Sequence, residues 1–239
     1  MIISSLENNT VKQLRKLHQK KYREAFFLSD NELLINEAKD KGYLDTLIYV
    51  NKKPFDHSNE IQVTKEVMEK ISMKSDVEYI GKIKVIEEND NYGNKIIILD
   101  HLQDPLNIGK IMEACMLFGF DSIILSKQSA DLYNDKCLDN CKGGLFKLNI
   151  AHKDLEKEIP ILQSKGYKVM ATGLRDNTKE LHELSNDNKI AIIMGNEGSG
   201  VSKNIMDLAD EIIKIDMCNI DSLNVSMAAS IVMYHFSSI

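Results

Sequence analysis

Three short stretches carry the residue types that could do chemistry. The first is Gly195-Asn196-Glu197-Gly198-Ser199-Gly200, which follows the apolar run Ile192-Ile193-Met194. An apolar run that ends in glycines puts bare main chain at the carboxyl end of a buried strand, where open α/β sheets bind ligands. Glycine also lets N–H groups approach a ligand with no Cβ in the way. Glu197 sets the polarity of that ligand. A carboxylate inside the loop argues against a phosphate cradle and suits positive charge or hydroxyl donors. The second stretch is Leu99-Asp100-His101-Leu102-Gln103-Asp104-Pro105-Leu106-Asn107-Ile108-Gly109. Its Asp104-Pro105 pair forces a turn, and Asn107 offers an amide that either positions the preceding loop or caps the helix that follows. The third is Ser222-Leu223-Asn224-Val225-Ser226-Met227-Ala228-Ala229, a polar turn entering the last helix, with Ser222 the strongest capping candidate.

These stretches need strands and helices to hold them. Ile96–Leu99 is a buried strand. Ile108, Ile111, Met112, Cys115 and Phe118 share one helical face, at the spacing a core-facing helix needs, and Gly119 ends that helix. Ser122–Leu125, Phe146–Ile150 and Tyr167–Thr172 read as strands, Leu155–Lys165 as a helix, and residues 128–143 as an irregular or helical crossover. With the strands at 190–194 and 213–217, residues 95–239 form an α/β domain: a mostly parallel sheet with helices on both faces. Upstream, Val11, Leu14 and Leu17 make a narrow apolar stripe on a helix whose opposite face is basic. Ala25–Leu28, Asn31–Lys41, Leu47–Val50, 61–71 and 79–87 then alternate strand and helix, so residues 1–88 make a small α/β unit. Residues 89–94, at the end of an acidic, turn-rich segment, are the linker.

Composition narrows the classes. A chain of 239 residues makes one large or two small domains, and an apolar fraction of 43% supports real cores. No run of about 18 apolar residues could span a membrane. The N-terminus lacks a basic region followed by an apolar one, so a cytoplasmic protein is expected. Of the four cysteines, Cys137 and Cys141 could share a helix face. No further Cys or His pair completes a zinc pattern, so reduced thiols and no metal are expected. The net charge of −6 is not that of a uniformly basic nucleic-acid binder. The positive charge is local, with Lys12, Arg15, Lys16, Lys20, Lys21 and Arg23 opposed only by Glu24 in residues 12–24. That face is either a solvated surface or a nucleic-acid contact. The first strand–helix turn of the second domain has no Gly-x-Gly-x-x-Gly, which argues against an ordinary dinucleotide-binding enzyme.

The three stretches, in order and at fitting spacing over about 95–239, resemble the SpoU (TrmH-like) branch of the SPOUT RNA methyltransferases. That family carries an Asp-Pro-x-Asn-x-Gly turn, a Gly-x-Glu-Gly-x-Gly loop and Ser-Leu-Asn-x-Ser-x-Ala on its last helix. The resemblance implies a trefoil-knotted α/β fold and methyl transfer from S-adenosylmethionine to a ribose 2′-hydroxyl of structured RNA, ribosomal or transfer. It implies cofactor contacts at Gly195, Ile215, Met217 and Leu223, and site roles for Asn107, Glu197 and Asn224. It also implies a homodimer formed through the C-terminal domain, and an RNA-binding role for Lys12, Arg15, Lys16, Lys20, Lys21 and Arg23.

Several positions depart from the family. The arginine expected six residues after Asn107 is Glu113, which falls opposite the apolar face of its helix and so points outward. A carboxylate there repels phosphate, and serves as a general base only where dry surroundings raise its pKa. Cys141-Lys142-Gly143 replaces Ser-x-Gly, Asp216 replaces a proline, and Asp30-Asn31 and Val77-Glu78 replace Glu-Gly and Pro-Gln in the first domain. Lys110 and Arg175 are cations that could compensate. Two readings therefore stand: an active 2′-O-methyltransferase with an altered catalytic group, or a member that binds RNA or cofactor with little catalysis.

Overall fold

Strands and helices alternate from the first residues onward in the computed structural model, which describes residues 2–175, 178–184, 188–218 and 222–237. The chain runs β1 (Ile2–Ile3), α1 (Asn9–Lys16), β2 (Phe26–Ser29), α2 (Glu32–Asp40), β3 (Leu44–Tyr49), β4 (Glu60–Val63), α3 (Lys65–Ser72) and β5 (Tyr79–Lys84). These pair into a five-stranded mixed sheet in the order β1-β4-β3-β5-β2. Asn8, Asn31 and Thr64 cap α1, α2 and α3, each accepting a main-chain N–H of the first turn. One face of the sheet buries Val11 and Leu14 of α1 and Val67, Met68 and Ile71 of α3 against Leu28, Ile48 and Ile80.

Two compact units divide the chain. The first is 1–87 together with 133–146; the second is 88–132 together with 147–239. The segment 133–146, expected within the C-terminal domain, thus packs with the N-terminal sheet. The Tyr133 ring lies 4.7 Å from Phe27, Phe146 lies 5.1 Å from Tyr43, and Lys41 Nζ donates to the Phe146 carbonyl at 2.5 Å.

The second unit begins with β6 (Lys95–Leu99), α4 (Pro105–Phe118) and β7 (Ser122–Ser126). The chain then supplies α5 (Asp135–Asn140) to the first unit and returns as β8 (Asn149–Lys153), α6 (Leu155–Ser164), β9 (Lys168–Thr172), β10 (Lys179–Glu180), β11 (Ile190–Met194), α7 (Lys203–Met206), β12 (Glu211–Lys214) and α8 (Val225–His235). Its seven-stranded sheet has the order β10-β12-β9-β11-β6-β7-β8, with every pairing parallel. Strands covered on both faces read as unbroken apolar runs, and Ile96–Leu99 and Ile190–Met194 are buried throughout. Leu155, Ile159 and Leu162 of α6 and Ile205 of α7 cover one face. α4 and α8 pack on each other, with Cys115 Sγ 3.7 Å from Met233 Sδ and the Phe118 and Tyr234 rings 5.9 Å apart.

Some expected bounds shift. Phe146 does not begin a strand; it closes a 3-10 turn, Gly144–Phe146, in the first unit, and β8 starts at Asn149. The strand expected over 213–217 ends at Lys214, so Ile215 and Met217 leave the sheet. α4 starts at Pro105, whose missing N–H costs nothing at a helix's first position. No helix among the described residues is long and apolar enough to cross a membrane.

Candidate functional site

The chain turns over at β6. From there β7 and β8 extend the sheet one way, while β11, β9 and β12 extend it the other. Crevices at such switch points, beyond the carboxyl ends of parallel strands, are where open α/β sheets hold ligands. The carboxyl ends here are Asp100, Gly195, Gly173 and Ile215.

The loop after β11 is tightly closed. Asn196 and Gly200 exchange both main-chain hydrogen bonds, at 3.0 and 2.9 Å. A Cβ on Gly195 would lie 2.1 Å from the main chain of Gly200 and Val201, so no other residue fits there. The Asn196 side chain accepts the N–H groups of Gly198 and Ser199 and donates to the His101 carbonyl at 2.9 Å. Asp100, buried after β6, accepts Ser202 N–H and O–H at 2.8 and 2.7 Å, which fixes the loop's far end.

Glu197 links this loop to the turn before α4. Its carboxylate accepts the N–H of Gln103 at 3.2 Å, the N–H of Asp104 at 3.0 Å and the Asn107 amide at 3.1 Å. Burial works against its ionisation. The hydrogen bonds from its own main chain, Asp104, Asn107 and Gln103 outweigh that and hold the carboxyl below the ordinary carboxylate range. Asn107 is buried, and its carbonyl oxygen accepts the Asn224 amide at 3.2 Å. Asn224 in turn accepts Ser226 N–H at 2.9 Å and Ser226 O–H at 2.6 Å. The three stretches are thus joined in one chain of hydrogen bonds, 197 to 107 to 224. Two capping expectations are corrected here. Asp104, not Asn107, caps α4, which begins early at Pro105, and Asn224, not Ser222, caps α8, which begins late at Val225.

Beside this network lies a cavity of about 290 Å³. Gly195, Glu197, Ile215, Met217 and Leu223, singled out in the sequence, all line it, with apolar walls completed by Met194 and Val232. Asn107 and Asn224 stand behind it as braces and are not in its lining. The stretch Thr172-Gly173-Leu174 also lines it and went unnoticed in the sequence, although a glycine ending an apolar strand is the same signal that marks Gly195.

Glu113 is half-buried on α4 and does not line the cavity. The two compensating cations are elsewhere engaged or exposed. Arg175 pairs with Asp207 at 2.6 Å, and Lys110 faces solvent on α4. Beside the cavity, Glu180, His182 and Asp216 bring ligand atoms within 4.8 Å of one another, a grouping not foreseen in the sequence. The Lys214 ammonium already pairs with Glu180 at 3.2 Å and Asp216 at 3.3 Å.

In the first unit, Lys12, Arg15, Lys16, Lys20 and Lys21 are exposed, Lys12 pairing with Glu7 at 2.5 Å. Arg23 differs from these. Its guanidinium turns inward and donates to the carbonyls of Tyr133 and His18, so it anchors the 133–146 segment.

Residues 94–234 match the SpoU rRNA Methylase family model. The chain is 30% identical to the 23S rRNA (guanosine(2553)-2′-O)-methyltransferase RlmP of Bacillus subtilis, over 98% of both chains. In three dimensions it is similar to the AdoMet-bound rRNA methyltransferase of Sinorhizobium meliloti, with TM-score 0.88, 24% identity and coverage of 99% and 97% of the two chains. It is also similar to the SpoU methyltransferase AviRb of Streptomyces viridochromogenes in complex with AdoMet, with TM-score 0.85, 18% identity and coverage of 96% and 97%.

Proposed function

The chain belongs to the SpoU rRNA methylase family, and on that premise we propose that it transfers a methyl group from S-adenosylmethionine to a ribose 2′-hydroxyl of structured RNA, ribosomal or transfer. The observation that carries the reading is the cavity that gathers Gly195, Ile215 and Leu223 beyond the carboxyl ends of β9, β11 and β12. Its chemistry fits an adenosyl sulfonium compound. The walls are apolar, as a purine requires, the loop supplies main-chain donors and acceptors, Glu197 is held ionised at the rim, and Lys214, the cation of the lining, is already paired with Glu180 and Asp216.

When bound, S-adenosylmethionine supplies an electrophilic methyl on a positively charged sulfur. Ile215, Met217 and Leu223 would flank the adenosyl group, and the main chain at Gly195 would meet its polar edges. Glu197, Asn107 and Asn224 act as positioning residues. They hold the loop, the α4 turn and the α8 start in one arrangement, so that little has to reorganise when charge develops. Glu197 accepts three N–H groups and is held ionised, which makes it a poor proton donor. Glu113, outside the cavity lining, is assigned no contact with the reacting atoms; it acts through its charge on the α4 surface.

The proposal extends to the assembly and its setting. Leu117 on α4 and Met227, Ile231 and Tyr234 on α8 are large, apolar and exposed, which supports a homodimer through the C-terminal domain. The course of the chain from β12, paired outside β9, back to α8 against α4 supports the trefoil knot that the resemblance implies. A role on RNA follows the Bacillus relative, whose name gives 23S rRNA as its substrate. The Glu180, His182 and Asp216 grouping is read as an ion-pair cluster about the Lys214 ammonium and is assigned no metal. The five exposed cations of residues 12–21 contact RNA phosphates. The test is calorimetric titration with S-adenosylmethionine, then methyl transfer from labelled cofactor to total RNA with nucleoside analysis. 2′-O-methylnucleosides are expected; no transfer to any RNA pool removes the proposal.

A further inference from the structure

The first unit leaves part of its sheet uncovered. α1 ends at Lys16 and the chain turns through a 3-10 stretch, Lys20–Tyr22. Alongside α1 and this turn, Phe26 of β2, Thr46 of β3, Ile61 of β4 and Lys82 of β5 floor an open groove of about 390 Å³. Tyr22 forms a wall of it and is 42% exposed. Cations surround both rings. Lys21 and Lys16 place their ammonium groups 4.9 and 5.6 Å from the Tyr22 centroid, and Lys82 stands 3.7 Å over Phe26, steadied by Asp45 at 2.8 Å.

We infer that this groove receives an unstacked nucleobase of the RNA substrate, with Tyr22 offering a ring face, Phe26 part of the apolar floor, and Lys16 and Lys21 meeting the flanking phosphates. The inference rests on the RNA reading above and adds a specific binding locus to it. An apolar floor calls for an apolar or aromatic ligand, and a lysine rim calls for an anion. A single-stranded nucleic acid satisfies both, because each of its flat bases sits between two phosphates. An apolar peptide would leave the ammonium groups without counter-charge. A duplex would present its bases already stacked and out of reach of a concave site. Thr10 and Gln13 at the groove's edge supply hydrogen-bonding groups within the same lining.

The test uses the full chain and an RNA hairpin whose loop carries 5-iodouridine, beside a blunt duplex of matching length. Irradiation should cross-link the loop to Tyr22 or Phe26. Tyr22→Ala should weaken hairpin binding about tenfold, with its salt dependence unchanged and S-adenosylmethionine affinity intact. Tyr22→Phe should stay within about twofold of the parent, since the ring face remains. Lys16→Gln with Lys21→Gln should instead lower the salt slope by about 1.4, the contribution of two single-strand phosphates. Hairpin binding unchanged by Tyr22→Ala, or a cross-link that maps elsewhere, overturns the groove assignment alone. A parent that binds S-adenosylmethionine but no RNA overturns both this inference and the RNA reading beneath it.

Discussion

Replacing Glu197 with alanine tests whether the loop is braced as described. The substitution removes the one acceptor for the Gln103 N–H, the Asp104 N–H and the Asn107 amide, at 3.2, 3.0 and 3.1 Å. A hydrogen bond to a charged group contributes about 1.5–3 kcal/mol. These lie at an exposed rim where water replaces part of each, so about 2–3 kcal/mol in all is expected. At about 2–4 °C per kcal/mol for a chain of this size, the melting temperature should fall by roughly 5–10 °C. Because the same loop walls the cavity, S-adenosylmethionine affinity should drop at least about tenfold, the factor that 1.4 kcal/mol commands. Glu197→Gln keeps one acceptor oxygen and should fall between. Asn107→Ala combined with Glu197→Ala should be less destabilised than the sum of the two, by about 1 kcal/mol, since the two side chains share one bond. Scanning calorimetry and titration calorimetry read both quantities. A Glu197→Ala variant with the parent's melting temperature and cofactor affinity, or additivity within about 0.5 kcal/mol for the pair, would refute the brace.

Other outcomes follow from the same geometry. Gly195→Ala drives a Cβ to 2.1 Å from the main chain, a clash no rotamer relieves, so titration should show cofactor binding lost; Gly198→Ala meets only Asn196 Oδ1 at 3.6 Å and should bind like the parent. Because Glu197 has a folded-state pKa below its ordinary 4.5, the stability it adds is complete above about pH 4.5 and disappears as pH falls through the lower folded value. Glu197→Gln should therefore show a flatter loss of melting temperature between neutral and acid pH. Glu113→Arg, adding a cation on α4, should raise RNA affinity or methyl transfer severalfold; a weaker variant would give Glu113 a role of its own. Ile231→Glu with Tyr234→Glu should shift sedimentation from dimer to monomer if α8 is the seam, while a parent that already sediments as a monomer refutes the dimer.

Much of this was legible before any coordinate. The unbroken apolar strands beside Gly195 and Asp100 and the one-faced pattern of α4 follow from residue type alone, because a parallel sheet buried on both sides leaves few alternatives. The membership of Ile215, Met217 and Leu223 in one cavity was legible only through the family's motifs, since each alone reads as plain core. Three features were not legible. β12 ends at Lys214 because the main chain leaves the sheet there, and nothing in Ile215-Asp216-Met217 announces that. Asn224 rather than Ser222 caps α8 because helix starts are set by packing of the first turn, which propensity does not fix to a residue. Arg23 reads as one more surface cation, yet it is turned toward carbonyls at Tyr133 and His18, the first of them more than a hundred residues away in sequence.

That last contact bears on how the chain can be cut. Because 133–146 packs with residues 1–87, the two units are interleaved along the polypeptide. A fragment begun at residue 95 would carry Leu145, Phe146 and Tyr133 with no surface to receive them, and a fragment ended at residue 88 would expose Phe27 and Tyr43. Tailoring this enzyme by swapping its front end therefore requires two grafts rather than one. A ribosome releasing the chain from the front must likewise wait for residue 146 before the first unit can close.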